Sequence, residues 1–246
     1  MLRRLLCTVL LLPTLLCSAA SAAEKIVVAT NPEWPPMEFL DDEKRIIGYD
    51  IDMMNAIAAE VGLETEFRMT AWDGIFAGIA AGNYDVIASA VTITPERQKA
   101  FAFSVPYYDV RQIVVLRKGD SAANFEALKG RVIGGQIGTT GIFVAQKSGV
   151  DMTIREYDSV GLAMQDLINS RIDAVICDSP VALYYANQKE GFADHLSVAF
   201  RTEATESFGF VVQKNRKDLV ERLNKGIEAV RAKGIEAELI RKWMGD

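Results

Sequence analysis

Asp85-Val86-Ile87-Ala88-Ser89-Ala90-Val91-Thr92-Ile93-Thr94-Pro95-Glu96-Arg97 is the stretch on which the reading of this chain turns. The run over 85–88 reads as a buried strand, and Thr94-Pro95 predicts a helix N-cap followed by proline at the first helical position. Arg97 then falls in the first turn of a short helix. A cation there opposes the helix dipole at a cost of about a few tenths of a kcal/mol, so helix stability does not explain it. A guanidinium fixed at the carboxyl end of a strand, beside several hydroxyls, can grip a carboxylate with two parallel hydrogen bonds. The alternative is a solvated surface arginine.

Upstream, 26–30 is a strand that runs into Asn31-Pro32-Glu33-Trp34-Pro35-Pro36, a stiff loop that cannot be helical and that presents Trp34 at its tip. Residues 37–47 read as a small hairpin, and 50–61 as a helix stopped by Gly62. A strand over 63–69 leads to Trp72-Asp73-Gly74, where Asp73 is the expected N-cap of the next helix. Trp72 sits where open α/β sheets place ligands, although it also suits a hydrophobic staple on its own helix.

Downstream, 108–113 reads as a crossing into a second unit, and a short helix over 125–129 leads to a strand over 132–137. Gly138-Thr139-Thr140-Gly141 opens the following helix; its backbone amides favour an anion, and it can equally be a plain turn. The spacing matches neither nucleotide-binding glycine motif. After a strand over 153–157 and a helix over 159–169, the strand 173–177 ends in Asp178-Ser179-Pro180, where the acid would cap the next helix. A strand over 196–200, a return crossing over 203–208, a strand over 208–213 and helices over 217–232 and 234–243 finish the chain. Alternating strands and helices make the fold α/β, and two crossings imply two lobes. The expected division is 23–110 with 207–246 as lobe 1 and 111–206 as an inserted lobe 2.

The chain has 246 residues, half of them hydrophobic, which excludes a disordered protein. Arg3 and Arg4, an apolar run over 5–16 and the small residues over 18–23 read as a cleavable signal peptide over 1–22. The run is too short to span a membrane, and Leu16 before Cys17 argues against a lipoprotein. Cleavage takes lysine plus arginine from 27 to 25 against 33 acids, a net charge of −8. An acidic chain without a basic tract is expected to bind neither nucleic acid nor anionic lipid. Cys177 remains as a lone thiol, far in sequence from the one histidine, His195. An intrachain disulfide is impossible, and a metal centre, a Cys-His nucleophile or a cofactor is not expected.

These motifs, in this order over about 25–243, resemble the family 3 extracellular solute-binding proteins of ABC importers, which capture polar amino acids. The resemblance implies a two-lobed periplasmic-binding-protein fold of type II-like build, with mixed sheets flanked by helices, and a periplasmic location. It implies that Arg97 and the Thr139-Thr140 turn hold a ligand's α-carboxylate from opposite lobes, with Thr92 and Ala90 beside them and Asp178 receiving the α-ammonium. Trp34 and Trp72 would sandwich the ligand's side chain. Ala90 stands where relatives have Gly or Ser, Asn31 where several have Asp, and Gln136 where some have Lys, so the side-chain preference stays open. The expected partners are an amino acid and the permease subunits of the importer, with the protein itself a monomer. The alternative on this fold is an enzyme like the periplasmic cyclohexadienyl dehydratases, which need a carboxylic acid as proton donor; Glu33, Asp73 and Asp178 are the acids available. A sensory input module is disfavoured, since the sequence ends at Asp246 without a membrane segment or output domain.

Overall fold

The computed structural model describes residues 23–245; the expected signal peptide lies outside the described residues. The chain opens with β1 (Glu24–Thr30), a hairpin of β2 (Glu33–Trp34), β3 (Glu38–Leu40) and β4 (Ile46–Ile47), and helix α1 (Tyr49–Glu60). It continues through β5 (Leu63–Met69), α2 (Trp72–Ala80), β6 (Val86–Ile87), α3 (Pro95–Ala100) and β7 (Phe101–Phe103). The crossing strand β8 (Tyr108–Val110) leads to β9 (Gln112–Arg117), β10 (Val132–Gln136), α4 (Thr140–Lys147) and β11 (Thr153–Tyr157). Next come α5 (Val160–Ile168), β12 (Ala174–Asp178), α6 (Ser179–Asn187), β13 (Leu196–Arg201) and the second crossing strand β14 (Glu206–Phe208). The strand β15 (Val211–Gln213) and helices α7 (Lys217–Ala232) and α8 (Ile235–Met244) complete the described chain.

Two five-stranded sheets result, ordered β5-β1-β6-β15-β7 and β11-β10-β12-β9-β13. Their logic is the same. In the first, β1 is parallel to β5 and β6, while β15 runs antiparallel to β6 and β7. In the second, β10 is parallel to β11 and β12, while β9 runs antiparallel to β12 and β13. The central strands are continuous apolar runs because helices cover both faces, as parallel sheets require. The crossing strands β8 and β14 pair antiparallel, with Glu206 opposite Val110 and Phe208 opposite Tyr108. The largest apolar cluster runs from Ile26 and Val28 in the first sheet, through Tyr107 and Phe208 at the crossing, to Val175 and Cys177 in the second.

Local chemistry sets most boundaries where the sequence puts them. Thr94 caps α3, its hydroxyl accepting from the Arg97 amide at 3.1 Å, and Pro95 follows at the first helical position. On α7, Leu219, Leu223, Ile227 and Val230 face inward. Three local expectations are corrected. Asp73 is not an N-cap: α2 starts at Trp72 after Ala71, leaving Asp73 in the first turn, where its charge suits the dipole. The helix expected over 125–129 is a single 3-10 turn, Phe125–Leu128, capped by the Asn124 side-chain Oδ1 accepting from the Ala127 amide. The strand expected over 208–213 breaks after Phe208, because the Gly209 amide turns aside to the Val91 carbonyl.

Candidate functional site

In each sheet the first of the three parallel strands, β1 or β10, has neighbours on both sides reached by crossovers that leave in opposite directions, which opens a crevice at the carboxyl ends of those strands. In the first sheet that crevice lies past β1 and β6, where Asn31 and Ser89-Ala90 follow. In the second it lies past β10 and β12, where Gln136, Thr139-Thr140 and Asp178 stand. The two crevices face each other across one small cavity. All ten residues singled out from the sequence line it: Asn31, Trp34, Trp72, Ala90, Thr92, Arg97, Gln136, Thr139, Thr140 and Asp178. Glu38 and Ser89 line it too.

Arg97 reaches the cavity from the first turn of α3. Its Nη1 donates to the Thr92 carbonyl at 2.9 Å and its Nη2 to the Gly138 carbonyl at 3.1 Å. Its guanidinium carbon lies 5.1 Å from the Phe76 ring centre and 5.7 Å from that of Trp72. With five N–H groups and two so engaged, it keeps donors free for an anion. Burial lowers it to about 10, opposed by the charges of Asp178 and Glu206, so it stays cationic at neutral pH. Opposite, Gly138 (φ 70) turns the chain into α4 in the left-handed region that favours glycine. The Thr139 hydroxyl donates back to the Gln136 carbonyl at 2.7 Å, so its proton is spent.

At the other pole, Asp178 stands at the N-cap position of α6, yet its carboxylate makes no cap. The carboxylate instead turns into the cavity, where Oδ1 accepts from Gln112 Nε2 at 2.6 Å and Oδ2 from Trp34 Nε1 at 3.2 Å. Burial pushes this carboxyl up to about 7, and Glu206 adds to the shift, while the Gln112 and Trp34 hydrogen bonds and Arg97 pull it down. Glu206, from β14, accepts from Gln112 Nε2 at 2.7 Å and from the Thr140 hydroxyl at 2.9 Å. A partly buried cation and a buried acid on opposite walls suit a small dipolar molecule, since a single charge would leave one wall unpaired.

Both tryptophans line the cavity, and both spend their indole N–H on groups of the protein. Trp34 is a buried member of β2 rather than a loop tip, and its indole N–H is spent on Asp178. Trp72 donates to the Ile137 carbonyl at 2.9 Å, its ring lying edge-on to Phe76 and beside Arg97. Gln136 donates to Asn31 Oδ1 at 3.3 Å and to the Asp158 carbonyl at 2.9 Å. Thr92 and Thr140 hydroxyls meet at 3.3 Å. These bonds join residues of the first sheet's half directly to residues of the second's.

Sequence reasoning missed Glu38, Gln112 and Glu206. Gln112 and Glu206 are 94 positions apart and meet only because the two crossings pair, so no local pattern marks them. For Glu38 a signal exists: it lies four residues after Trp34, on a hairpin whose turn the sequence reading did identify.

A family model for the bacterial extracellular solute-binding proteins, family 3, matches residues 26–246. An ABC transporter arginine-binding protein 1 of Escherichia coli (strain K12) is 33% identical over 239 residues, covering 95% of this chain and 98% of the relative. A probable histidine-binding protein of Neisseria gonorrhoeae is 32% identical over 229 residues, covering 92% of this chain and 85% of the relative. Among solved structures, an ancestral arginine-binding protein bound to arginine superimposes with a TM-score of 0.85 at 33% identity, over 92% of this chain and all of that one. With the paired crevices, the Thr-x-Thr-x-x-Arg segment and this match over nearly the whole described chain, the protein belongs to family 3 of the bacterial extracellular solute-binding proteins.

Proposed function

We propose that this protein is the substrate-binding component of an ABC importer and that it captures an amino acid between two closing lobes. The observation that carries this is the single cavity in which Arg97 and the α4 N-terminus stand opposite Asp178. An α-amino acid brings an anion and a cation one carbon apart, and each finds its complement there. In this reading Arg97, Thr92 and the Thr139-Thr140 backbone hold the α-carboxylate, with Ala90 beside them. Asp178 takes the α-ammonium, while Trp34, Trp72, Asn31 and Gln136 bound the side chain. The names of the relatives are those of binding proteins, which favours capture over the dehydratase chemistry also known on this fold.

The lobes are 23–110 with 207–246, and 111–206, hinged at β8 and β14. Contacts made only in the closed form shift the open-to-closed balance, and a zwitterion touching both lobes supplies them. The signal peptide over 1–22 directs the protein to the periplasm, where as a monomer it hands its ligand to the permease subunits. No helix among the described residues is long and apolar enough to cross a membrane.

A thermal-shift screen of the twenty amino acids tests this, with arginine and histidine first because relatives carry their names. A ligand raises the melting temperature by mass action. At least one amino acid is expected to do so for the wild type. Arg97→Ala and Asp178→Ala are each expected to lower its affinity by at least about a hundredfold, since a buried charge without its partner costs about 3–5 kcal/mol. Near-wild-type binding by either variant, in titration calorimetry, contradicts the assignment.

A further inference from the structure

We propose that Glu38 is a second acid of the ammonium pole, so that the ligand's α-ammonium is held between Glu38 of the first lobe and Asp178 of the second. This rests on the amino-acid reading above and adds the residue that lets one cation draw both lobes together.

Glu38 is only 1% exposed and lines the same cavity as Asp178. In the β2–β3 hairpin it is the direct cross-strand partner of Trp34, so their side chains share one face. That face lies against Asp178, because the Trp34 indole N–H reaches the Asp178 carboxylate. Glu38 Oε1 accepts from the Ser89 hydroxyl at 3.0 Å, and Ser89 in turn accepts from the Asn31 amide at 3.0 Å. Glu38 Oε2 is buried and has no hydrogen-bond partner among the described residues. An orphaned carboxyl oxygen inside a protein is rare enough to need an explanation.

No neighbouring side chain donates to it, and Asp50 Oδ1 is likewise buried and without a partner among the described residues. Asp50, from α1, is an acid, and its Oδ2 accepts from the Ala90 amide and the Tyr107 hydroxyl, each at 2.7 Å. Asp178, from β12, is another acid. Arg97, the one cation lining the cavity, donates to the Thr92 and Gly138 carbonyls and makes no ion pair with Glu38. What fits is a donor arriving from the cavity. A primary ammonium has three N–H groups, enough to serve acceptors on two walls at once. Burial first, then the charges of Asp50 and Asp178, raise the Glu38 carboxyl well above its ordinary value, against the Ser89 hydrogen bond. These influences favour the neutral carboxyl, whereas an arriving ammonium favours the ionised one.

The test compares an amino acid with the 2-hydroxy acid that keeps its carboxylate and side chain but replaces the ammonium by a hydroxyl. L-arginine with argininic acid and L-histidine with imidazolelactic acid are the probes; should another amino acid prove to be the one bound, it and its hydroxy acid replace them. In titration calorimetry, Glu38→Gln is expected to weaken amino-acid binding at least tenfold and hydroxy-acid binding less than threefold. Proton release on amino-acid binding, read from the heats in two buffers of different ionisation enthalpy at about pH 6.5, is expected to be smaller in Glu38→Gln than in the wild type. Glu38→Asp, which keeps an acid but withdraws it by one methylene, provides the same comparison if the glutamine variant does not fold, with an intermediate loss expected. Equal losses for the amino acid and the hydroxy acid, or unchanged affinity and proton release, overturn the assignment while leaving the amino-acid reading standing. A wild type that binds none of the twenty amino acids overturns both.

Discussion

Asp178 titrates near neutrality because burial pushes its carboxyl up to about 7. In the proposed complex only its ionised form complements an ammonium, so the direction of the pH dependence follows. Above about pH 7 Asp178 is already ionised and adds no further pH dependence to the affinity. Below it a proton must leave before the ligand is held, and affinity falls by up to about tenfold per pH unit. Calorimetry between about pH 8 and pH 5.5 checks this, and Asp178→Asn should bind weakly with a flatter profile. The stability of the empty protein moves the other way. A carboxyl whose folded value is raised holds a proton that the unfolded chain gives up above about pH 4, so each such group costs stability as pH rises to its folded value. Asp50, pushed up to about 7 by burial, adds to the effect of Asp178, at about 1.4 kcal/mol per pH unit for each group between those limits. The empty protein is therefore expected to melt higher at about pH 6 than at about pH 8, with added ligand narrowing the gap. None of these shifts is legible in the sequence, since Asp50 and Asp178 look there like ordinary residues at helix starts. What raises them is exclusion from water by residues remote in the chain.

At the scale of elements, packing between helices shows the same division. The apolar spacing of α7 is readable from sequence and Leu219, Leu223, Ile227 and Val230 are buried as it requires. The role of Gly226 is not readable. A Cβ at Gly226 would lie 2.6 Å from Ile57 Cγ2 and 3.0 Å from the Ile57 carbonyl oxygen, so the glycine lets α7 close onto α1. The backbone atom cannot move aside cheaply. Gly226→Ala is expected to cost about 1–3 kcal/mol through overpacking. For a chain of this size that lowers Tm by roughly 2–4 °C per kcal/mol. Because neither Ile57 nor any residue of α7 lines the cavity, affinity should be unchanged; a thermal melt alongside calorimetry checks both. Similarly, a Cβ on Gly141 in α4 would meet Gln112 Oε1 at 2.8 Å, which shows how closely that helix start is set against the acid pole.

For the whole molecule, hydrogen bonds join the two halves: Trp72 to the Ile137 carbonyl, Arg97 to the Gly138 carbonyl, and Gln136 to Asn31. In the proposed closing-lobe mechanism such bonds add to closure even before a ligand arrives, and each contributes roughly 1 kcal/mol net. Trp72→Phe keeps most of the apolar bulk and removes one of them. Affinity is then expected to fall about fivefold, since about 1.4 kcal/mol corresponds to a factor of ten. Small-angle scattering should record contraction of the wild type on ligand addition, and a more expanded empty form for Trp72→Phe. An envelope that does not change at saturation would sink the closing-lobe mechanism.

The sequence by itself determined the α/β class and most strand and helix positions, while the ten residues that line the cavity were reached through the resemblance of its motifs to a known family. It could do so because strand runs, helix caps and the Thr-Pro-Glu-Arg turn are local signals, set by burial periodicity and by hydrogen bonds between neighbours in the chain. Only the tertiary structure decided what those residues do with their hydrogen bonds: that Asp178 turns inward instead of capping α6, that Trp72 latches onto Ile137, and that Glu38, Gln112 and Glu206 join them. The physical reason is that a buried polar group takes whichever partner the folded chain brings within about 3 Å, and that proximity is set by how the two crevices face each other.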